Sequence, residues 1–265
     1  MKRILISGYG RMGILLAEML AEKVSCELAV YDPYLKDGDI PDTIVKLRHT
    51  ADAEAFNPDV LLNCTGPEST VQAFDQLKPY LSDACLFTDI ASVKNKLPEY
   101  YATEGVRFVS LHPMFGPTFA STANMKGLNC IIITESAEEG KEFFSAFFRR
   151  FGINVAEFSF SDHDKLMSKV LAVPFVATLL FAAVSEAELP GGTTYKRHIE
   201  IAEGLFSENP AVIAGILANG HNAGQVRKMM DRLKVLLPLL ENQDPAAIEA
   251  YLSDCADSFR DKKDS

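Results

Sequence analysis

Ile4-Leu5-Ile6-Ser7-Gly8-Tyr9-Gly10-Arg11-Met12-Gly13 opens the chain with an apolar run that leads into three glycines spaced G-x-G-x-x-G. Such a triplet alone is weak, because it occurs by chance. Here the run before it reads as a buried strand, and Met12 to Lys23 reads as an amphipathic helix. Asp32 follows at the end of the next strand-like run, Leu28 to Tyr31. That context is the dinucleotide-binding fingerprint. Gly8 permits the tight turn, Gly10 lets the backbone approach a pyrophosphate, and Gly13 lets helix and strand pack closely. The helix N-terminus then faces the negative charge. Tyr9, Arg11 and Met12 complete the cofactor-binding turn. Asp32 can accept hydrogen bonds from ribose hydroxyls and would repel a 2′-phosphate, so the cofactor expected is NAD, with Lys36 the one residue that weakens the choice.

Working outward, further strand-like runs are Val60 to Cys64, Cys85 to Ile90, Phe108 to Leu111 and Cys130 to Thr134. All are expected to be buried and parallel, alternating with helical stretches such as Ser69 to Tyr80 and Glu138 to Phe151. The third-strand exit, Asn63-Cys64-Thr65-Gly66-Pro67, is expected to place Thr65 and Gly66 over the dinucleotide, although turn chemistry alone explains it equally well. Near Ser161 the texture changes to helical patterns only. Asp162 is expected to cap a helix containing His163 to Leu189, Gly191-Gly192 to break it, and Asn209-Pro210 to start another. Pro238 and Asp244-Pro245 punctuate the remainder, and the polar tail Arg260 to Ser265 is expected to fray. The fold class is therefore α/β: a Rossmann-type doubly wound parallel sheet over 1–160, followed by an all-helical domain over 161–265.

With 48% hydrophobic and 23% charged residues the chain reads as globular. A net charge of −10 and the lack of a basic run argue against a nucleic-acid partner. The N-terminus reads as a strand rather than a signal peptide, and no window approaches membrane-spanning length, so neither export nor a membrane is expected. Five scattered cysteines without a C-x-x-C pair suit reduced thiols in the cytoplasm. No metal is expected, because H-x-x-x-H and H-E-x-x-H are both missing.

Two segments end strands at the ligand-binding edge of such a sheet. In Leu111-His112-Pro113-Met114-Phe115-Gly116-Pro117, Pro113 keeps His112 extended. Its imidazole is the candidate base for a substrate hydroxyl. In Asp89-Ile90-Ala91-Ser92-Val93-Lys94, Ser92 can hold that hydroxyl or orient the ring, while Lys94 reads as a solvated loop lysine. His49 and His221 read as structural, His198 as either, and His163 as decoration of a helix start.

These motifs resemble the prephenate and arogenate dehydrogenase family, especially the dehydrogenase part of the bacterial T-protein. The resemblance rests on Gly8 to Gly13, on Asp89 to Asn95, on Leu111 to Pro117 and on Asp162-His163-Asp164. In the helical part it rests on Tyr195-Lys196, Gly204-Leu205-Phe206 and Asn209-Pro210. It implies NAD-dependent oxidative decarboxylation of prephenate, a cyclohexadienyl substrate, to 4-hydroxyphenylpyruvate in tyrosine biosynthesis. It gives the roles of base and hydroxyl partner to His112 and Ser92, and implies a homodimer through the helical domain. The mutase domain that precedes the T-protein dehydrogenase is expected to be missing. Two positions depart from the family. Gly204 stands where an arginine clamps a substrate carboxylate, leaving Lys196 or Arg197 as substitutes. Phe175 follows Pro174 where other members carry a histidine. Arogenate or 4-amino-4-deoxyprephenate is therefore an alternative substrate. Ranked below stand a β-hydroxyacid dehydrogenase using Lys165 or Lys169, and a catalytically silent NAD-sensing protein.

Overall fold

The computed structural model describes residues 2–36, 38, 40–116, 121–186 and 189–264, with side chains as far as 261. In chain order the first elements are β1 (Lys2–Ser7), α1 (Arg11–Lys23), β2 (Cys26–Tyr31), β3 (Val45–Leu47), α2 (Asp52–Phe56) and β4 (Val60–Asn63). Next come α3 (Thr70–Leu77), a 3-10 turn at Lys78–Tyr80, β5 (Leu86–Asp89), α4 (Leu97–Glu104) and β6 (Phe108–Pro113). Then β7 (Asn129–Ile133), α5 (Glu138–Arg149), β8 (Asn154–Phe158) and α6 (Phe160–Met167) lead into a π-helical stretch, Ser168–Ala172. The rest is helical: α7 (Val173–Val184), α8 (Thr193–Phe206), α9 (Pro210–Leu217), α10 (Asn222–Glu241) and α11 (Pro245–Asp264).

The strands form one sheet in the order β3-β2-β1-β4-β5-β6-β7-β8. Its first six positions have the doubly wound dinucleotide-binding order. Side chains alternate across the sheet, so Ile4 and Ile6 join one core with Leu16, Leu20 and Phe148. Leu5 faces the other way and joins Leu61, Phe74 and Phe87. Both faces are thus covered, as a parallel sheet requires.

Several expectations need correction. The strand at Cys130 runs antiparallel to β6 rather than parallel. β8 was not foreseen, because its sequence Asn-Val-Ala-Glu-Phe is half polar and largely open to solvent. β3 is only three residues long and lacked a readable run. The helix expected from Asp162 begins earlier, at Phe160. Ser159 is its capping residue, its Oγ accepting from the Asp162 amide at 3.1 Å and donating to the Asp162 carboxylate at 2.8 Å. That helix passes through the π-helical stretch and ends at Val184. Residues 187–188 of the expected span lie outside the described ones.

Pro238 lies inside α10 without ending it, whereas the Asp244 carboxylate accepts the Ala246 and Ala247 amides at 3.1 Å and starts α11. The tail expected to fray is helical to Asp264. A membrane-length segment exists after all. Phe160–Val184 runs 25 residues, and its most apolar window has a mean hydropathy of 2.0, enough by length and composition to cross a bilayer. By compactness the chain divides not at 160/161 but into Met1–Met167 with Glu203–Asn219, and Ser168–Ala202 with Gly220–Ser265. The first unit therefore takes back α9 and the end of α8.

Candidate active site

In-register pairing across the parallel strands sets Tyr31, Ser7, Asn63, Asp89 and Ser110 in one row. Residues just beyond that row share the carboxyl edge of the sheet. They include Gly8 after β1, Asp32 after β2, Thr65 after β4, Ser92 after β5, and His112 near the end of β6.

The glycine turn is built without slack. Gly8 has φ +88°, a left-handed conformation that disfavours side chains, and its amide donates to the Tyr31 carbonyl at 2.9 Å. A methyl group on Gly13 would stand 2.2 Å from the Gly8 carbonyl oxygen, so only glycine lets α1 sit this close to β1. At Gly10 a methyl group would meet nothing within 4 Å, so open space lies where a ligand can approach. Gly10 also caps α1 and offers no side chain to the first-turn amides, which suits a bound anion. Gly8, Gly10, Asp32, Tyr34, Thr65 and Gly66 help line a cleft of about 390 Å³. The residues present fit a dinucleotide.

Asp32 has structural partners as well. Its carboxylate accepts from the Tyr9 amide at 2.8 Å and the Tyr34 amide at 2.9 Å. The Tyr9 side chain is buried in the core rather than open to the cleft, and Met12 packs against the same core. Arg11 extends to Glu208, 3.8 Å away. Asn63, which the sequence reading placed at this strand exit without a role of its own, organises the turn. Buried at the end of β4, it donates to the Thr70 carbonyl and accepts from both the amide and the hydroxyl of Thr65, at 3.1 and 2.7 Å. An Asn at a strand exit before Thr-Gly-Pro was its available signal.

Lys94 reverses its expected setting. It is fully buried, 2.7 Å from the Asp89 carboxylate, and its ammonium also donates to the Leu111 carbonyl at 2.6 Å. The hydroxyl of Tyr101 donates to the other Asp89 oxygen at 2.8 Å. Burial lowers the Lys94 pKa, and the adjacent Asp89 opposes that shift. This ion pair closes the loop around Ser92 and ties it to the residue preceding His112. Ser92 itself is half-buried.

His112 is buried. Its Nδ1 lies 2.9 Å from Nε2 of His163, whose Nδ1 lies 3.0 Å from the Asp164 carboxylate. His163 thus decorates nothing: it is fully buried and holds the ring that Ser92 was thought to orient. Burial first, then the electrostatic influence of His163 and of Lys94, holds the His112 pKa well below its ordinary value. Its imidazole is neutral at neutral pH, as a base must be.

Lys196 and Arg197 are exposed on the part of α8 that belongs to the second unit. Gly204 is half-buried on its last turns, in the first unit. Lys165 is half in solvent, 3.0 Å from Asp162. Pro117, which ends the segment opened by Leu111, lies outside the described residues. Among the described residues no group of His, Cys, Asp and Glu could hold a metal ion. Burial pushes the thiols of Cys26, Cys64, Cys85 and Cys130 up, Cys85 to about 12, which makes them poor nucleophiles.

The strand order, the glycine turn and the acidic residue at the end of β2 define a dinucleotide-binding α/β fold. Residues 43–151 match the family model for the nucleotide-binding domain of prephenate dehydrogenase. The T-protein of Haemophilus influenzae is 24% identical over 255 residues, which cover 92% of this chain and 63% of that protein. Arogenate dehydrogenase 1 of Arabidopsis thaliana is 26% identical over 245 residues, covering 86% of this chain and 38% of its own. Among solved structures, Aquifex aeolicus prephenate dehydrogenase with hydroxyphenyl propionate and NAD+ has the same fold. Its TM-score is 0.78 at 20% identity, with 98% of each chain covered. The chain is thus similar to the prephenate dehydrogenase family in sequence and in fold. It spans less than two thirds of the length of the curated relatives it matches, 63% of the first and 38% of the plant enzyme.

Proposed function

We propose that this protein is an NAD-dependent dehydrogenase that converts prephenate to 4-hydroxyphenylpyruvate and CO2. The observation that carries the reading is His112, a buried neutral imidazole at the same sheet edge as the glycine turn, with one ring nitrogen already engaged by His163. Its Nε2 accepts the proton of the ring hydroxyl, and Ser92 holds that hydroxyl from the adjoining loop. The carbinol carbon gives up its hydride, the bond to the ring carboxylate breaks, and the electron pair of that bond completes the aromatic ring. NAD, when bound, supplies the hydride acceptor. Gly8, Gly10, Gly13, Thr65 and Gly66 shape its cradle, and Asp32 favours a ribose without a 2′-phosphate.

The same chemistry on arogenate or 4-amino-4-deoxyprephenate is the second reading. Gly204 motivates it, since it stands where the resemblance places a carboxylate-binding arginine. Purified protein should therefore be offered the three substrates, each with NAD and with NADP, while NADH or NADPH absorbance is followed. Turnover of prephenate with NAD at least about tenfold better in kcat/KM than the others is expected, a difference of about 1.4 kcal/mol in transition-state binding. Preference for arogenate or the amino analogue transfers the assignment to that substrate, and turnover of none ends it.

The helical unit is proposed to pair with a second copy of the chain. Leu180, Val184, Leu233, Leu237 and Leu240 are each more than half exposed in a single chain, and apolar faces of that kind mark association surfaces. Sedimentation velocity without detergent should give a dimer. A monodisperse monomer, or protein recovered only with membranes, would contradict the pairing. The free cysteines suit a reducing, cytoplasmic setting.

A further inference from the structure

We propose that His163 and Asp164 are positioning residues that fix His112 as its Nδ1–H tautomer, leaving the Nε2 lone pair for the substrate. The proposal rests on the reading of His112 as the base, and follows from counting donors. An ionised carboxylate can only accept hydrogen bonds. Asp164 stands 3.0 Å from Nδ1 of His163, so that nitrogen carries the hydrogen. A neutral imidazole has one N–H, so Nε2 of His163 is then an acceptor. It faces Nδ1 of His112 at 2.9 Å, and His112 must therefore donate from Nδ1. Its remaining nitrogen, Nε2, is left without a hydrogen.

The chain of bonds is held from both ends. Asp164 is anchored through its backbone carbonyl, which accepts from the Asn219 side chain at 3.1 Å. His112 sits in β6, paired in register with Ile131 of β7. The other ionisable neighbours are Lys94, already committed to Asp89 and the Leu111 carbonyl, and the un-ionised Cys130 thiol. Neither offers His112 Nδ1 a competing acceptor. When His112 takes up a proton, its Nδ1–H still points at His163, and the bond becomes charge-assisted and stronger. The arrangement thus favours both the correct ground-state tautomer and the imidazolium formed in the step.

The test combines nitrogen NMR of the full chain, labelled at histidine, with kinetics. Long-range proton–nitrogen correlations distinguish the two tautomers directly, and the His112 signals are assigned by their loss in His112→Asn. Both His112 and His163 are expected as Nδ1–H. His163→Leu removes the acceptor, so His112 should relax toward the Nε2–H form. Its kcat should then fall about 10²-fold, with KM for NAD within about twofold of wild type. His163→Gln, whose carbonyl oxygen can still accept, should recover about tenfold of that loss. Asp164→Asn touches a partly exposed side chain and serves if the buried leucine variant fails to fold. Its amide can present either end, so a mixed tautomer and an intermediate kcat are expected. An Nε2–H signal for His112 in the wild type overturns the proposal, as does a folded His163→Leu with wild-type kcat. Because the NMR arm needs no substrate, the Nδ1–H form without turnover of any substrate refutes the dehydrogenase reading alone. Turnover with the Nε2–H form refutes the tautomer assignment alone.

Discussion

Replacing His112 by Asn is expected to cut kcat by about 10²- to 10⁴-fold while the Kd for NAD stays within about twofold. Asparagine is close in size, and its amide can still donate to Nε2 of His163, so the buried partner is not orphaned. What disappears is the group proposed to take the hydroxyl proton. Stopped-flow NADH formation and a fluorescence titration with NAD measure the two quantities separately. Loss of both together would mean that the residue supports the fold rather than the chemistry, and loss of neither would give the base to another residue. The variant should also change the response to acid. An unfolded chain protonates a histidine near pH 6.5, whereas folding holds His112 neutral to a lower pH. Through that window the unfolded state binds more protons, so stability falls as pH drops below about 6.5. His112→Asn removes this contribution, and its urea midpoint should fall less than that of wild type between about pH 7 and pH 5.

The second large effect is expected at Lys94→Met. Removing the ammonium leaves the Asp89 carboxylate fully buried, with the Tyr101 hydroxyl and the Ala91 amide as its remaining donors. Breaking one side of a buried ion pair costs about 3–5 kcal/mol. For a unit of this size that lowers Tm by roughly 6 to 20 °C. Adding Asp89→Asn should restore most of it, since no unpaired charge then remains and the asparagine oxygen can still accept from Tyr101. Differential scanning calorimetry of the single and double variants decides the matter. A single variant within about 1 kcal/mol of wild type would show that the pair contributes no more than a surface one. Because the pair closes the Ser92 loop, kcat should fall in the single variant even at temperatures where it stays folded.

The two predictions draw on features that differ in how far they could be read from the sequence. Gly8 to Gly13 and Asp32 were legible because their roles are local: a left-handed turn, a helix start and a strand end each leave a mark within a few residues. The doubly wound class followed from alternating apolar runs, whereas β3, β8 and the antiparallel β7 did not. His163 was missed because its partner His112 lies 51 positions away, and its own surroundings look like any polar helix start. Lys94 was misread because lysines are almost always solvated, and only the fold brings the Leu111 carbonyl to its ammonium. β8 escaped for the opposite reason, since an edge strand open to solvent has no apolar run to detect. Local conformational demands were visible; pairings made by the sheet were not.

Asp32 also limits how this scaffold could be re-engineered. Protein designers who want a dehydrogenase to accept the phosphorylated cofactor usually begin by neutralising the acidic residue at the end of the second strand. Here the same carboxylate terminates the backbone amides of Tyr9 and Tyr34, so an alanine would strip two hydrogen-bond acceptors from the turn that shapes the whole cradle. Asparagine keeps one oxygen and so retains one of the two acceptors, and the guanidinium for the extra phosphate can come from the position of Tyr34, which is 90% exposed. Cofactor preference and turn geometry are written into a single side chain, and a redesign has to change one while retaining the other.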